Sequence, residues 1–313
     1  MPEVASVHVI KALTEISLRY GANEFLADSI APVVSVNNQS DKFYIIDALK
    51  ERMRNADVER APGDEPNSVD FDVSSSSYSS NDHALSSRIP DEERKNADVA
   101  IQPEVDRTEF LTGRILLDKE IRLQAAMVAG ITTNTSASGN TWADYTNGTP
   151  IEDVQTAKQN ILDNAHVAAN TMVIDSKTWN SLRDHPEIIN RLDSGQTPGG
   201  PAVASEAAVA KVLDLDQILV ARAWLNSANP GATASTATVW GTDAWILHVD
   251  PNPGLRSAGV ALTFQWNVFG TSGVEVSMRR LAGAKADEIQ VHRHYDQKIV
   301  QELSGHRITS VIS

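Results

Sequence analysis

The residues best suited to chemistry stand near the C-terminal end, in His292-Arg293-His294 followed by Asp296. On a strand, alternate side chains share a face, so His292, His294 and Asp296 would point the same way. Two imidazoles and a carboxylate are a donor set for a metal-dependent hydrolase. The fuller hydrolase pattern needs a further His after the Asp, and Gln297 stands there. The run Glu288-x-Gln290-x-His292-x-His294 also reads more simply as the polar face of a strand whose other face carries Ile289, Val291 and Arg293. No Gly-x-Ser-x-Gly elbow and no Gly-x-Gly-x-x-Gly fingerprint occurs. The Gly-rich stretch 194–200 lacks the Lys-Ser/Thr of a phosphate loop. His185 before Pro186 reads as a cap or surface residue, and His166, His248 and His306 stand alone. The sequence therefore offers no catalytic, cofactor-binding or metal residue beyond that weak cluster, and no cofactor.

Composition narrows the remaining classes. The 313 residues carry a formal charge of −14 and no cysteine. Disulfides, Cys-ligated metal and thiol catalysis are excluded. The acidic balance argues against direct nucleic-acid recognition, which needs clustered Lys and Arg, but not against enclosing nucleic acid. No apolar run approaches a membrane span, and the start Met1-Pro2-Glu3-Val4 lacks a secretion signal.

The elements that would position any site follow from periodicity. Val4, Val7, Ile10, Leu13 and Leu18 suggest an amphipathic helix over 4–19, followed by an extended segment over 30–41. Residues 42–47 read as a strand. From Arg52 to Asn96 the chain is mostly polar, yet Val69, Phe71 and Val73 alternate with Asp70 and Asp72 in the period of a strand. A long hairpin with polar faces has no core of its own and orders only on another surface. The same composition is that of a disordered surface loop. Arg52, Arg54 and Arg60 face six acidic residues between Asp57 and Asp72, a mixture suited to ion pairs between subunits or to a solvated face. Residues 103–130 predict the longest helix, with Pro103 in the first turn and Gly130 at the stop. Its apolar stripe is read as Phe110, Leu111, Ile115, Leu117, Ile121, Met127 and Val128. A helix over 151–164 precedes an alternation of strands and helices from about residue 167. The strands are expected at 171–174, 217–221, 239–240 and 244–249, and a closing set at 260–268, 273–278, 288–295 and 308–312.

This order of elements resembles the major capsid protein of tailed bacteriophages. Phe43 to Asp47 and the Arg60-Ala-Pro-Gly-Asp-Glu-Pro66 turn are similar to the way into that family's E-loop. Arg88-Ile-Pro-Asp-Glu-Glu-Arg-Lys-Asn96 before the long helix resembles the return from it. Trp142-Ala-Asp-Tyr145 and Pro150-Ile-Glu-Asp-Val154 resemble the link that follows. The most specific likeness is the stretch from Thr171 to Ile189, with a strand, a helix and His185-Pro186 opening another helix. The resemblance implies an α+β fold with five parts. They are an N-terminal arm over 1–41, an E-loop over 42–90, a P-domain over 91–165 with its spine helix at 103–130, an α/β A-domain over 166–259, and closing P-domain strands over 260–313.

It further implies a structural protein that self-assembles into hexamers and pentamers. These would form an icosahedral head shell around double-stranded DNA, in a virion assembled in the host cytoplasm. Scaffold, portal and decoration proteins are the implied partners, with no membrane involved. The residues assigned to contacts between subunits are Arg52, Arg54, Arg60, Asp64, Glu65 and Phe71. Some members join an E-loop Lys to a P-domain Asn. Here Lys42 and Lys50 are available, but no Asn follows Asn267, so no such crosslink is expected. The start at Met1 resembles members whose scaffold is separate or absent, or whose leader has been removed. Removing Pro62 to Ser86 is expected to leave a foldable core that forms no closed particles. An encapsulin-type compartment, which shares the fold, and the metal hydrolase of His292, His294 and Asp296 are the alternatives.

Overall fold

The computed structural model describes residues 7–9, 13–14, 16–17, 25–45, 55, 58–60, 62–63, 65, 68, 74–96, 102–137, 141–194, 204–229, 231–253, 259–268 and 273–312. In chain order come β1 (Val7–Val9), α1 (Ala27–Ile30), β2 (Val33–Val36) and β3 (Ser40–Ile45). Next, β4 (Ser74–Ser79), β5 (Asn81–Pro90) and α2 (Asp91–Asn96) lead into α3 (Pro103–Gly130). They are followed by β6 (Asn134–Ser136), α4 (Pro150–Ala165), β7 (Thr171–Asp175), α5 (Ser176–Arg183) and α6 (Pro186–Ser194). Then come α7 (Glu206–Val212), β8 (Gln217–Ala221), β9 (Trp224–Asn226), β10 (Thr236–Thr238) and β11 (Ala244–Leu247). The chain closes with β12 (Ala261–Trp266), β13 (Val274–Leu281), β14 (Ala286–Ile299) and β15 (Gly305–Thr309).

The first sheet is organised by β14, its longest strand. Its order is β1-β13-β14-β12-β2, with β5 also on β14. β12 pairs with Ile299 to Tyr295 and β13 with Arg293 to Ala286, so the two form one antiparallel line interrupted at 267–273. β5 pairs with β14 over Ala286 to Tyr295, on the opposite edge from β13. Alternation along β14 buries Ile289 and Val291 completely. They pack with Ile89 and Val276 against Leu111 and Ile115 of α3. Each such fully buried aliphatic side chain contributes about 1.5–3 kcal/mol relative to leaving it in water.

The helix α3 has the bounds that its Pro and Gly punctuation predicts. At 28 residues it is roughly 42 Å long. Its rotation differs from the expectation. Phe110 and Val128, read as inward, are 53% and 38% exposed. The buried positions are Pro103, Thr108, Leu111, Thr112, Ile115, Leu116, Lys119, Glu120, Leu123 and Met127. Four of these are polar, so a count of apolar residues alone sets the stripe at the wrong angle.

The second sheet, β6-β15-β11-β7-β8, carries α4, α5, α6 and α7 over a core that includes Trp142, Ile161, Met172, Ile174 and Leu182. β7 is buried along its whole length, as a strand covered on both faces must be. Asp175 caps α5 by accepting from the Lys177 N–H, and Ser205 caps α7 by accepting from the Ala208 N–H. The C-terminal half of α3 lies between the sheets, where Leu123 and Met127 meet Trp240, Trp245, Leu247 and Val260.

Three further expectations are altered. Val7–Val9 form a strand on β13 where a helix was expected, and only Leu13-Thr14 and Ile16-Ser17 are helical among the described residues of 4–19. Three residues of apolar alternation fit either period, and the free edge of β13 decides the outcome. Val239-Trp240 is a bend after β10 rather than a strand, although Trp240 is buried. Of the two readings of His185, the surface one fails and the cap one holds: it is buried, and its Nδ1 accepts from the Glu187 N–H in the first turn of α6 at 3.3 Å. The alternating residues Val69 to Val73 lie outside the described residues.

Candidate assembly surface

The β3–β4 hairpin leaves the first sheet with almost nothing buried of its own. Among its strand residues only Phe43 and Tyr78 are buried. Both belong to the root. Tyr78 stacks on Phe264 at 4.6 Å between ring centroids, and Phe43 lies 5.1 Å from the same ring. Backbone and side-chain polar contacts complete the root. Ser80 Oγ donates to the Phe264 carbonyl at 3.1 Å, and the Ser79 N–H donates to Asp296 at 2.8 Å. The Trp266 indole donates to the Asn37 carbonyl at 2.9 Å. Beyond Phe43, Tyr44 is exposed and Ile45 packs half-buried on the same cluster, opposite the exposed Ser74 and Ser75. Among the described residues no strand lies between Ile45 and Ser74.

Where β5 ends, a network of ion pairs holds α2 on the sheet. Arg280 donates both terminal nitrogens to Asp91 at 2.6 Å and also reaches Asp287 at 3.1 Å. Arg94 joins Asp287 at 2.6 Å to Glu104 of α3 at 2.9 Å. Arg279 pairs with Glu288 at 2.5 Å. The Arg280 guanidinium holds the Asp91 carboxyl below its ordinary range. Burial pushes the Asp287 carboxyl up, but hydrogen bonds from Arg94 and Arg280 outweigh it and leave that group below its ordinary range too. The network ties the returning strand, the β13–β14 hairpin and the first turn of α3 into one joint.

A second joint lies deeper on α3. Glu120 is fully buried, and one carboxylate oxygen accepts from the Leu26 and Ala27 N–H groups at 2.9 and 2.7 Å. The other accepts from the Trp240 indole at 2.6 Å. Burial pushes the Glu120 carboxyl up against the pull of these three donors. Its neighbour Lys119, also buried, pairs with Asp28 and lies 5.2 Å over the Tyr295 ring. The sequence gives no sign of this joint, because its partners come from about 90 and 120 positions away.

Of the residues assigned to contacts between subunits, Arg60 and Glu65 are exposed. Arg52, Arg54, Asp64 and Phe71 lie outside the described residues. The histidine cluster is held by structural partners. Asp82 of β5 lies 2.9 Å from His292 Nδ1 and 3.8 Å from His294 Nε2. His294 stands edge-on to Trp266, and Asp296 accepts from Ser79 while pairing with Lys298 at 3.3 Å. Among the described residues no group of three or more His, Cys, Asp or Glu side chains is placed to hold a metal ion.

Comparison with known proteins gives the context for this geometry. Residues 92–229 match the family described as phage major capsid protein E. The chain is 28% identical over 263 residues to the major capsid protein of Pseudomonas phage JBD67, covering 81% of this chain and 82% of that protein. A phage-related protein from Bordetella bronchiseptica RB50 has a similar solved structure, with a TM-score of 0.73, 20% identity and 97% of each chain covered. The capsid of cyanophage P-SCSP1u is similar at a TM-score of 0.59 and 12% identity, over 89% of this chain and 86% of that one. The α+β architecture is thus the tailed-phage capsid fold. Fold and sequence agree on one class of relatives: the chain is similar to phage major capsid proteins in sequence and shares the architecture of a phage capsid in fold.

Proposed function

We propose that copies of this chain assemble as hexamers and pentamers into a closed icosahedral head shell around double-stranded DNA, and that the arm rooted at β3–β4 makes the decisive contacts by lying on a neighbouring copy. The observation that carries this reading is the hairpin whose only buried strand residues, Phe43 and Tyr78, sit at its root. A polar arm gains stability only from a surface outside itself, and a neighbour supplies one. Arg52, Arg54 and Arg60 with Asp64 and Glu65 would supply ion pairs across that contact, and Phe71 an apolar one. The net charge of −14 keeps the shell from adhering to the DNA it encloses. The role is structural rather than catalytic. We divide the chain into an arm over 1–41, an E-loop over 42–90, a P-domain over 91–165 and 260–313, and an A-domain over 166–259. Shells form in the host cytoplasm and enter the virion, with scaffold, portal and decoration proteins as partners.

The test must spare the sheet. Removing Pro62 to Ser86 would delete β4 and half of β5, which pairs with β14. Replacing residues 46–73 by a short Gly/Ser linker leaves every described strand intact. The variant is expected to unfold within a few degrees of the parent and to form no closed shells. Normal shells from it would overturn the role given to the arm.

A further inference from the structure

The helix α1 has only four residues and no side-chain cap of its own, with Leu26 at its N-cap. A single helical turn is unstable alone, because nucleation fixes several residues for one hydrogen bond. Its first donors are orphaned by geometry and need an acceptor. That acceptor is Glu120, which takes the Leu26 and Ala27 N–H groups on one oxygen. Its other oxygen is committed to Trp240, in the bend between β10 and β11. One buried carboxylate therefore serves two parts of the chain more than 200 residues apart in sequence.

We propose that Glu120 is a shared cap that couples the docking of the N-terminal segment Leu26–Ala31 to the seating of Trp240, so that loosening either one loosens the other. The mechanism needs only the geometry of the carboxylate. Trp240 fixes the second oxygen and so fixes the plane and rotamer of the side chain. That rotamer aims the first oxygen at both backbone donors at once. Without the indole the carboxylate is free to turn, and the α1 donors lose a held acceptor in a site closed to water. Lys119 is already committed to Asp28 on the same segment, so it reinforces α1 without replacing Glu120. A neighbour that pulls on the N-terminal arm would then be felt in the unit that contains Trp240, through α3. This coupling goes beyond the shell-forming role and does not depend on it, because it lies within one subunit.

The full chain tests the coupling with hydrogen exchange of the 26–31 amides and the indole N–H signal of Trp240. Trp240→Phe keeps most of the ring and removes the N–H. It is expected to speed exchange at 26–31 by about tenfold, the loss of roughly one net hydrogen bond. In a Glu120→Gln background the same change should add nothing further. Ala27→Pro removes one donor and disfavours the αR conformation of Leu26 before it, so it loosens α1, and it is expected to shift the Trp240 indole signal. If Glu120→Gln does not fold, the reciprocal pair Trp240→Phe and Ala27→Pro still decides. Unchanged exchange in the first together with an unchanged indole in the second overturns the coupling. So does an equal effect of Trp240→Phe with and without Glu120. Shell formation enters neither readout, so failure here is distinct from failure of the assembly reading.

Discussion

Gly273 shows how a single backbone position closes the interruption between β12 and β13. It has a φ of +63°, and a Cβ built on it would stand 2.6 Å from Gln265 Cγ and 2.9 Å from the Trp266 carbonyl oxygen. The Gln265 side chain can move aside, but the Trp266 carbonyl is backbone. Gly273→Ala is therefore expected to cost about 1–3 kcal/mol, read as a lower urea midpoint at unchanged slope. A loss under a few tenths of a kcal/mol would show that the excursion at 267–273 relaxes freely. Legibility at this scale was uneven. Caps such as Asp175 are legible in principle, because a cap is a local device with a fixed residue preference. Glu120 and Lys119 were not, since spacing within a helix cannot reveal a donor supplied by Leu26, Ala27 or Trp240.

The elements rest on two kinds of joint, and each predicts a different response. The α2 network is ionic and partly exposed, so it should weaken with salt. Its carboxyls, Asp91 and Asp287, are held below their ordinary range in the folded chain. A depressed carboxyl contributes stability that is fully present above its unfolded value of about 4, and that stability is lost as pH falls through the folded value. Arg280→Ala is expected to lower Tm at neutral pH and low salt, with the gap from the parent shrinking below about pH 4 and in high salt. A gap that stays constant across pH and salt would show that Arg280 acts through packing alone. The root of the arm is apolar instead. Tyr78→Ala removes the ring stacked on Phe264 and is expected to cost about 3 kcal/mol of local stability. Hydrogen exchange should localise the loss to 40–45 and 74–80, and a change spread over β13 and β14 would contradict a local root. The bounds of α3 were legible from Pro103 and Gly130, whereas its rotation was set by tertiary partners of Thr112, Lys119 and Glu120. β1 was misread because Val7–Val9 is too short to show a period, and only the register with Ser277 to Arg279 fixes it.

At the scale of the molecule, the order of elements carried most of the reading. The long helix, the α/β unit after it and the closing strands fell in sequence where the structure has them. What spacing could not show is that strands distant in sequence share one sheet, since β14 binds β5, β12 and β13 from three separate stretches. The two sheets and α3 bury their own apolar faces within the subunit, while the described β3–β4 strands bury only Phe43 and Tyr78. With Asn267 as the last Asn, shells held by such arms should also be non-covalent in the Lys–Asn sense. Particles boiled in denaturant are expected to run near the 33.9 kDa of one chain, and a ladder of multiples would contradict this. The most direct test is the mass and shape of the purified full chain, by light scattering with negative-stain microscopy over a range of concentrations. Capsomer rings or closed shells of megadalton mass are predicted, and a species that stays at 33.9 kDa at every concentration would contradict self-assembly.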